Sequence, residues 1–225
     1  MIPAIKNLML LPAYFDLGAT FLWAVSGSLL GARKGFSPIG ILTVAVVSST
    51  GGGLLRDGIF IQDGPPMLLR SSGYLTIIAA AFLVVVVIGP HIQRLKYFRY
   101  TVSVVDAIGL GAYAVVGMNK AIAAGVSIPG VILIGMVNAV GGSILRDVML
   151  RTELNILQPG TLEESLALVG CLLFVLLTQF LTYEQNLAAW ITIGVVFTIR
   201  MVAIRYQIRS RPLRGFESYW GEPKL

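Results

Sequence analysis

Residues 51–57 read GGGLLRD, and residues 141–147 read GGSILRD. The two stretches lie 90 positions apart, and the same spacing holds upstream without a gap, where Asp16 matches Asp106. A duplicated apolar unit that ends in a glycine run and a charged pair is typical of one half of a transporter or channel. If each half crosses a membrane an odd number of times, the two halves have opposite orientations in that membrane.

The composition indicates an integral membrane protein. Of the 225 residues, 56% are hydrophobic and only 12% are charged, whereas soluble domains have about 25% charged residues. So few charged groups could not cover the surface of a soluble domain of this length. The net charge is +6, but the basic residues lie between and after the apolar stretches, so we predict no nucleic-acid partner.

We predict an all-α, polytopic membrane protein with seven transmembrane helices, because a spanning helix needs about 20 mainly apolar residues. The predicted spans are residues 12–32, 38–61, 74–90, 102–120, 128–150, 162–181 and 187–206. The first three form repeat one, about residues 12–90, and the next three form repeat two, about residues 102–181. The seventh helix stands alone before a polar tail, residues 207–225. No connection is long enough to separate domains, so we expect residues 1–225 to form a single membrane domain.

The distribution of lysine and arginine predicts that the amino terminus is outside and the carboxyl terminus is cytoplasmic. With that orientation, 13 of the 17 basic residues are cytoplasmic, and the four outside are Lys6, Arg56, Arg70 and Lys120. Three spans in each repeat then place the two repeats in inverted orientations. We expect a multi-pass protein of the cell inner membrane, in contact with membrane lipid.

Spans two and five carry the glycine runs, and we predict that they line a path for an ion or small solute. Adjacent glycines are poor helix formers, so we expect both helices to kink or unwind there, facing each other across water. Close packing of helices through small residues is the alternative interpretation. The residues concerned are Gly51, Gly52, Gly53, Gly141, Gly142 and Ser143.

Each glycine run is followed by an arginine and an aspartate, Arg56-Asp57 and Arg146-Asp147. Neighbouring residues in a helix do not face each other, so we do not expect either arginine to pair with the aspartate beside it. A charged group at the membrane centre costs about 2.5–3.5 kcal/mol, so such groups usually pair or line water. The alternative is that they are helix-end anchors whose side chains extend to the membrane surface.

Topology suggests other partners for these arginines. It places Asp16 at the depth of Arg56, and Asp106 at the depth of Arg146 on the opposite side. We therefore predict two equivalent polar links, Asp16–Arg56 and Asp106–Arg146, with the neighbouring aspartates nearby. Lys120 ends span four, and it either projects into the same path or lies at the interface.

The remaining polar residues carry no recognisable catalytic chemistry. Arg200 lies near the cytoplasmic end of span seven, and we interpret it as a residue whose side chain extends to the membrane surface. The sequence has no Cys/His cluster, nucleophile elbow or phosphate-binding loop. We therefore predict no enzymatic activity, no cofactor and no metal beyond a transient monovalent cation.

The doubled pattern, in which Asp16 and Gly27 precede Gly-Gly-x-x-x-Arg-Asp in each copy, resembles a bacterial membrane family. Its domain has been named a glycine transporter domain, and the family is related to the trimeric intracellular cation (TRIC) channels. The resemblance implies a homotrimer in which each protomer holds its own pore. In that family kinked second and fifth helices line the pore, and the kinks would map to residues 51–53 and 141–143. In that family the pore passes monovalent cations, potassium above all.

Two functions remain open at this point. We favour a passive monovalent-cation channel, because the path has few acidic coupling residues beyond the paired aspartates. The alternative is a secondary transporter of glycine or a similar small zwitterion. A half-helix carbonyl end suits potassium, and an amide end suits a carboxylate. Ser143 replaces the third glycine of the first repeat, so we expect the two halves of the path to differ.

Overall fold

The computed structural model of the protein describes residues 13–93, 98–152 and 162–208, which form helices joined by short connections. The α-helices are α1 (Ala13–Arg33), α2 (Pro38–Leu55), α3 (Met67–Arg70), α4 (Ser72–Gln93), α5 (Phe98–Ala123), α6 (Ile128–Met149), α7 (Glu163–Val175) and α8 (Gln185–Arg205). Two π-helical turns, Arg56–Ile61 and Leu176–Phe180, continue α2 and α7. No strand occurs within these ranges.

The predicted set of seven membrane helices is confirmed. Six of the described helices are long and apolar enough to cross a membrane, and Glu164–Phe180 forms a shorter apolar helix. The one-turn helix α3, between α2 and α4, was not predicted. Residues 1–12 and 209–225 lie outside the described residues, so the predicted sides of the two termini stay a prediction.

The two repeats share the turn that joins their first two helices. Gly35 and Gly125 have φ angles of +74° and +72°, which glycine adopts without the steric cost of a side chain. Helix α2 then begins at Ser37, whose hydroxyl accepts a hydrogen bond from a backbone N–H at 3.2 Å. Helix α6 begins after Ser127, which makes no such side-chain bond. The local sequence therefore produces the same helical hairpin twice.

The helices pack so that the equivalent helices of the two repeats meet at the centre. Helix α1 packs on α2, α5 packs on α6, and α2 packs directly on α6. Helix α8, outside the repeat, packs on α5 and α7. Apolar side chains that point away from the protein include Leu83 and Val87 of α4 and Val202 of α8. Such outward apolar faces are compatible with lipid, where every backbone polar group is satisfied within its own helix.

Candidate functional site

Helices α2 and α6 cross where the two glycine runs meet. A Cβ atom added to Gly52 would overlap the carbonyl oxygen of Asn138, and one added to Gly142 would overlap that of Ser48. Asn138 and Ser48 are equivalent positions of the two repeats, so the two contacts are related by the duplication. The glycines therefore allow the helix backbones to touch, as small residues do in membrane proteins.

The prediction that the helices unwind at the glycine runs is wrong. Residues 51–53 and 141–143 are α-helical, and the two glycine runs contact each other directly instead of facing each other across water. A Cβ atom on Gly141 would lie only 3.0 Å from the Cα atom of Gly52. Glycine lowers helix propensity by about 1 kcal/mol relative to alanine, and we attribute the retained helix to the backbone contact that only glycine permits. The departure from α-helical geometry in α2 begins at Arg56, as a π-helical turn.

Arg56 is buried beside the aspartate that follows it. Its Nε donates to Asp57 Oδ1 at 2.6 Å and its Nη2 donates to Asp57 Oδ2 at 2.9 Å. Its Nη1 donates to Asn138 Oδ1 at 3.0 Å. The prediction that Arg56 links to Asp16 and not to Asp57 is wrong. The Cβ atoms of neighbouring residues do diverge. The arginine side chain is nevertheless long enough to turn back, so its planar guanidinium group forms a bidentate contact with the adjacent carboxylate.

Asp16 is held by two residues from other helices. Its Oδ2 accepts a hydrogen bond from the Tyr74 hydroxyl, and Lys120 Nζ lies 3.5 Å from the same oxygen. Lys120 therefore projects towards Asp16. Two carboxylates and two cations gather at this end of the protein, namely Asp16, Asp57, Arg56 and Lys120.

Arg146 forms the second charged group, near the end of α6. Its Nη1 lies 3.3 Å from Asp106 Oδ2, so the predicted Asp106–Arg146 contact is present. Its Nε also lies 3.3 Å from Asp147 Oδ1, a neighbour contact that was predicted to be absent. Ser26 Oγ accepts a further hydrogen bond from Nη1 at 3.1 Å. Arg56 and Arg146 are 2% and 5% exposed, so both guanidinium groups are buried and neither is a membrane-surface anchor.

Each charged group lies beside a cleft. The lining of the Asp16 cleft includes Asp16, Thr20, Ser49, Arg56, Asp57 and Tyr113. The lining of the Asp106 cleft includes Trp23, Asp106, Leu110, Ser143 and Arg200. Asp16 and Asp106 are equivalent in the two repeats, so each repeat contributes the same carboxylate to its own cleft.

The two clefts lie at opposite ends of the helix bundle. Lys120 contacts Asp16, and it lies 14 residues after Asp106 in α5. Fourteen residues of α-helix span about 21 Å along the axis. Asp106 and the Asp16–Lys120 pair therefore lie far apart along a bilayer core of about 30 Å. The two clefts extend inwards from these ends, and their linings approach each other at Leu110 and Tyr113, three residues apart in α5.

Two buried polar residues at or beside these clefts were not identified from the sequence. Arg200 is buried and lines the Asp106 cleft, so its interpretation as a surface-seeking side chain is wrong. It comes from α8, which has no counterpart in the repeat, so the duplication carried no signal for it. Asn138, 2% exposed, could have been found, since an amide inside a spanning helix marks a functional position. Within the described residues, no group of three or more His, Cys, Asp or Glu could hold a metal ion.

Comparisons with known proteins agree with the duplication. The family model described as Glycine transporter matches the chain twice, over residues 13–90 and 103–179. The UPF0126 inner membrane protein YadS of Escherichia coli (strain K12) is 28% identical over 200 residues, which cover 87% of this chain and 93% of the relative. A UPF0126 membrane protein of Deinococcus radiodurans is 38% identical over 136 residues, and the match spans 60% of this chain and 61% of that relative.

A solved structure has the same fold. The TRIC trimeric intracellular cation channel orthologue from Rhodobacter sphaeroides superposes with a TM-score of 0.79 at 23% sequence identity. The superposition covers 86% of this chain and 97% of that one. The seven-helix arrangement with its duplicated halves is therefore the arrangement of that channel.

Proposed function

Because this chain belongs to the glycine transporter family and has the fold of a TRIC channel, we propose that it is a monovalent-cation channel, permeable to potassium. We further propose that it assembles as a homotrimer with one ion path in each protomer. The observation that supports this function is the pair of charged clefts, which belong to equivalent parts of the two repeats and lie at opposite ends of the bundle. A path that joins them would cross the membrane within one protomer.

The chemistry of the clefts suits a weakly held cation. The Asp16 cleft offers the oxygens of Asp16, Thr20 and Ser49, and the Asp106 cleft offers those of Asp106 and Ser143. Oxygen ligands of this kind replace water around a monovalent ion. The basic residues beside each aspartate reduce its attraction for a cation. Conduction requires binding that is favourable enough for entry and weak enough for release.

A second candidate function is the transport of glycine or a similar small zwitterion. The Asp16 cleft brings a carboxylate and the Arg56 guanidinium to one cavity, and these groups could bind the ammonium and carboxylate ends of one molecule. Clefts at both ends of an inverted repeat also suit a carrier with alternating access. The charge arrangement therefore favours this substrate class over an uncharged solute.

Reconstitution into proteoliposomes separates the two functions. For a channel we expect potassium currents with unitary steps in the absence of any organic substrate. For a carrier we expect saturable uptake of labelled glycine and no such currents. Glycine uptake without potassium current would overturn the proposed channel function. Empty liposomes prepared with the same detergent provide the control for leakage.

A further inference from the structure

Trp23 and Tyr113 are equivalent residues of the two repeats, since their numbers differ by the same 90 positions. Their rings meet edge to face, with centroids 5.7 Å apart and an interplanar angle of 86°. Both are buried, at 2% and 5% exposure. Tyr113 lines the Asp16 cleft and Trp23 lines the Asp106 cleft. The aromatic pair therefore lies between the two clefts, with one ring at the inner end of each.

We propose that Trp23 and Tyr113 form the barrier that closes the ion path, and that movement of the Trp23 side chain opens it. This inference rests on the proposed function, because that function makes the route between the two clefts an ion path. The barrier between the clefts can nevertheless be measured without ion flow, by the accessibility of each cleft from the two sides of the membrane. The surrounding contacts distinguish the two rings and identify the one that moves.

The Tyr113 side chain is fixed by hydrogen bonds to two helices, and its backbone is bound by a third. Its hydroxyl donates to the backbone oxygen of Ser49 in α2 and shares a hydrogen bond of 3.0 Å with Thr20 in α1. Its backbone oxygen accepts a hydrogen bond of 2.7 Å from Asn138 Nδ2 in α6. Rotation of this ring would break buried hydrogen bonds, so we assign Tyr113 the role of the static half of the barrier.

Trp23 is held by ring packing and a cation–π contact, without a hydrogen bond from its side chain to any described residue. Its Nε1 is buried and has no hydrogen-bond partner among the described residues. A Cβ atom on Gly109 would overlap this nitrogen, so α5 leaves room for the indole only because residue 109 is glycine. A buried donor without an acceptor is unfavourable, and a rotation that exposes it to water or to an acceptor removes that cost. Trp23 is therefore the half of the barrier that can turn without breaking a hydrogen bond.

The charged network of the second repeat touches the same ring. The Arg146 guanidinium carbon lies 5.6 Å from the centroid of the Trp23 ring, within the range of a cation–π contact. Arg146 is also paired with Asp106, which lines the cleft that a cation would enter. A cation beside Asp106 would compete with Arg146 for the carboxylate, and this competition would act on the residue that holds Trp23 in place.

Labelling of introduced cysteines tests the barrier directly. Cys171 is the only cysteine of the chain, so a Cys171→Ala background carries no other thiol. Thr50→Cys places a thiol in the Asp16 cleft and Ser143→Cys places one in the Asp106 cleft. We expect a membrane-impermeant, positively charged methanethiosulfonate reagent to label each cysteine from one side of sealed vesicles only. After Trp23→Ala, we expect each to be labelled from both sides.

Matched variants separate the barrier from general damage. Trp23→Phe keeps a ring and should preserve one-sided labelling. Trp190→Ala removes a tryptophan that is 57% exposed on α8 and should also change nothing. If Trp23→Ala does not fold, Gly109→Ala displaces the indole without removing it and should produce labelling from both sides. Size-exclusion elution and thermal stability in detergent identify variants that retain the native assembly.

The outcomes distinguish this inference from the proposed function. Labelling of either cysteine from both sides without a barrier substitution would overturn the barrier. One-sided labelling in folded Trp23→Ala or folded Gly109→Ala would overturn it as well. Two-sided labelling in these variants without potassium flux in proteoliposomes would support the barrier and contradict the cation channel. Two-sided labelling together with increased potassium flux would support both.

Discussion

Asp16 at the start of α1 and Lys120 near the end of α5 form an ion pair between the two repeats, with Oδ2 and Nζ 3.5 Å apart. The duplication does not provide a second pair of this kind, since the residue equivalent to Lys120 is Leu30. Asp106 instead pairs with Arg146 of its own repeat. The two clefts therefore contain equivalent aspartates with different cationic partners, and their electrostatic properties differ.

We expect Lys120→Met to increase cation flux. The substitution removes one positive charge from the group of Asp16, Asp57, Arg56 and Lys120, so the formal charge of these four side chains changes from zero to −1. A negative cleft raises the local cation concentration, and for a single charge we expect an increase of up to about tenfold at low salt. The effect should shrink as salt screens it. Potassium flux into proteoliposomes at two ionic strengths measures this, with exposed Lys34→Met as the control. An equal effect of both substitutions would contradict the prediction.

We expect Arg200→Gln to change the potassium current that enters the protein through the Asp106 cleft. Arg200 is the buried cation that α8 contributes to this cleft, and its loss makes the cleft more attractive to cations. Because the Asp16 cleft is unchanged, current carried from the two sides should become unequal. Current–voltage curves in symmetrical potassium measure this rectification. Arg205→Gln, at an exposed position of the same helix, should leave the curve as it is.

Gly52→Ala and Gly142→Ala should destabilise the protein. Each added methyl group would overlap a backbone oxygen of the opposite helix, and overpacking of this kind costs about 1–3 kcal/mol. Gly194→Ala is a matched control in α8, because no atom lies within 4 Å of its added Cβ. Alanine there should be neutral or stabilise by roughly 0.5–1 kcal/mol. Thermal unfolding in detergent provides the comparison, and equal stability of Gly52→Ala and Gly194→Ala would exclude the close crossing of α2 and α6.

Double-mutant cycles should find coupling for Asp106/Arg146 and for Asp16/Lys120, and additivity for Asp16/Arg56. The first two pairs are in contact, whereas Arg56 is bound by Asp57 and Asn138. Polar pairs in membranes have coupling energies that average about 0.6 kcal/mol and reach about 1.7 kcal/mol. Unfolding free energies of single and double variants provide the values. A larger coupling for Asp16/Arg56 than for Asp16/Lys120 would contradict the contacts described above.

The orientation in the cell inner membrane is also a prediction. We expect residues 1–7 outside and residues 209–225 in the cytoplasm, because 13 of 17 basic residues are cytoplasmic in that orientation. Reporter fusions at the two termini measure this. Both reporters on the same side would contradict it, since seven spans place the termini on opposite sides.

The duplicated sequence was sufficient to predict the seven helices and the equivalence of the two halves. It was not sufficient for the site. The glycine runs predicted an opening of the helices, whereas the structure uses Gly52 and Gly142 to bring α2 and α6 into backbone contact. A low helix propensity describes an isolated segment, and tertiary contacts outweigh it. Only the packing of the opposite helix distinguishes a glycine that breaks a helix from one that admits a neighbour.

The sequence by itself determined the membrane class, the number of spans and the repeat, because these depend on apolar length and on spacing along the chain. The partners of the charged residues were decided by the tertiary structure alone. Arg56 and Arg146 occupy equivalent positions in sequence, yet Arg56 binds Asn138 whereas Arg146 binds Asp106 and Ser26. Hydrogen bonds and ion pairs act over about 3–4 Å, and a spacing along the sequence does not define distances between helices to that precision.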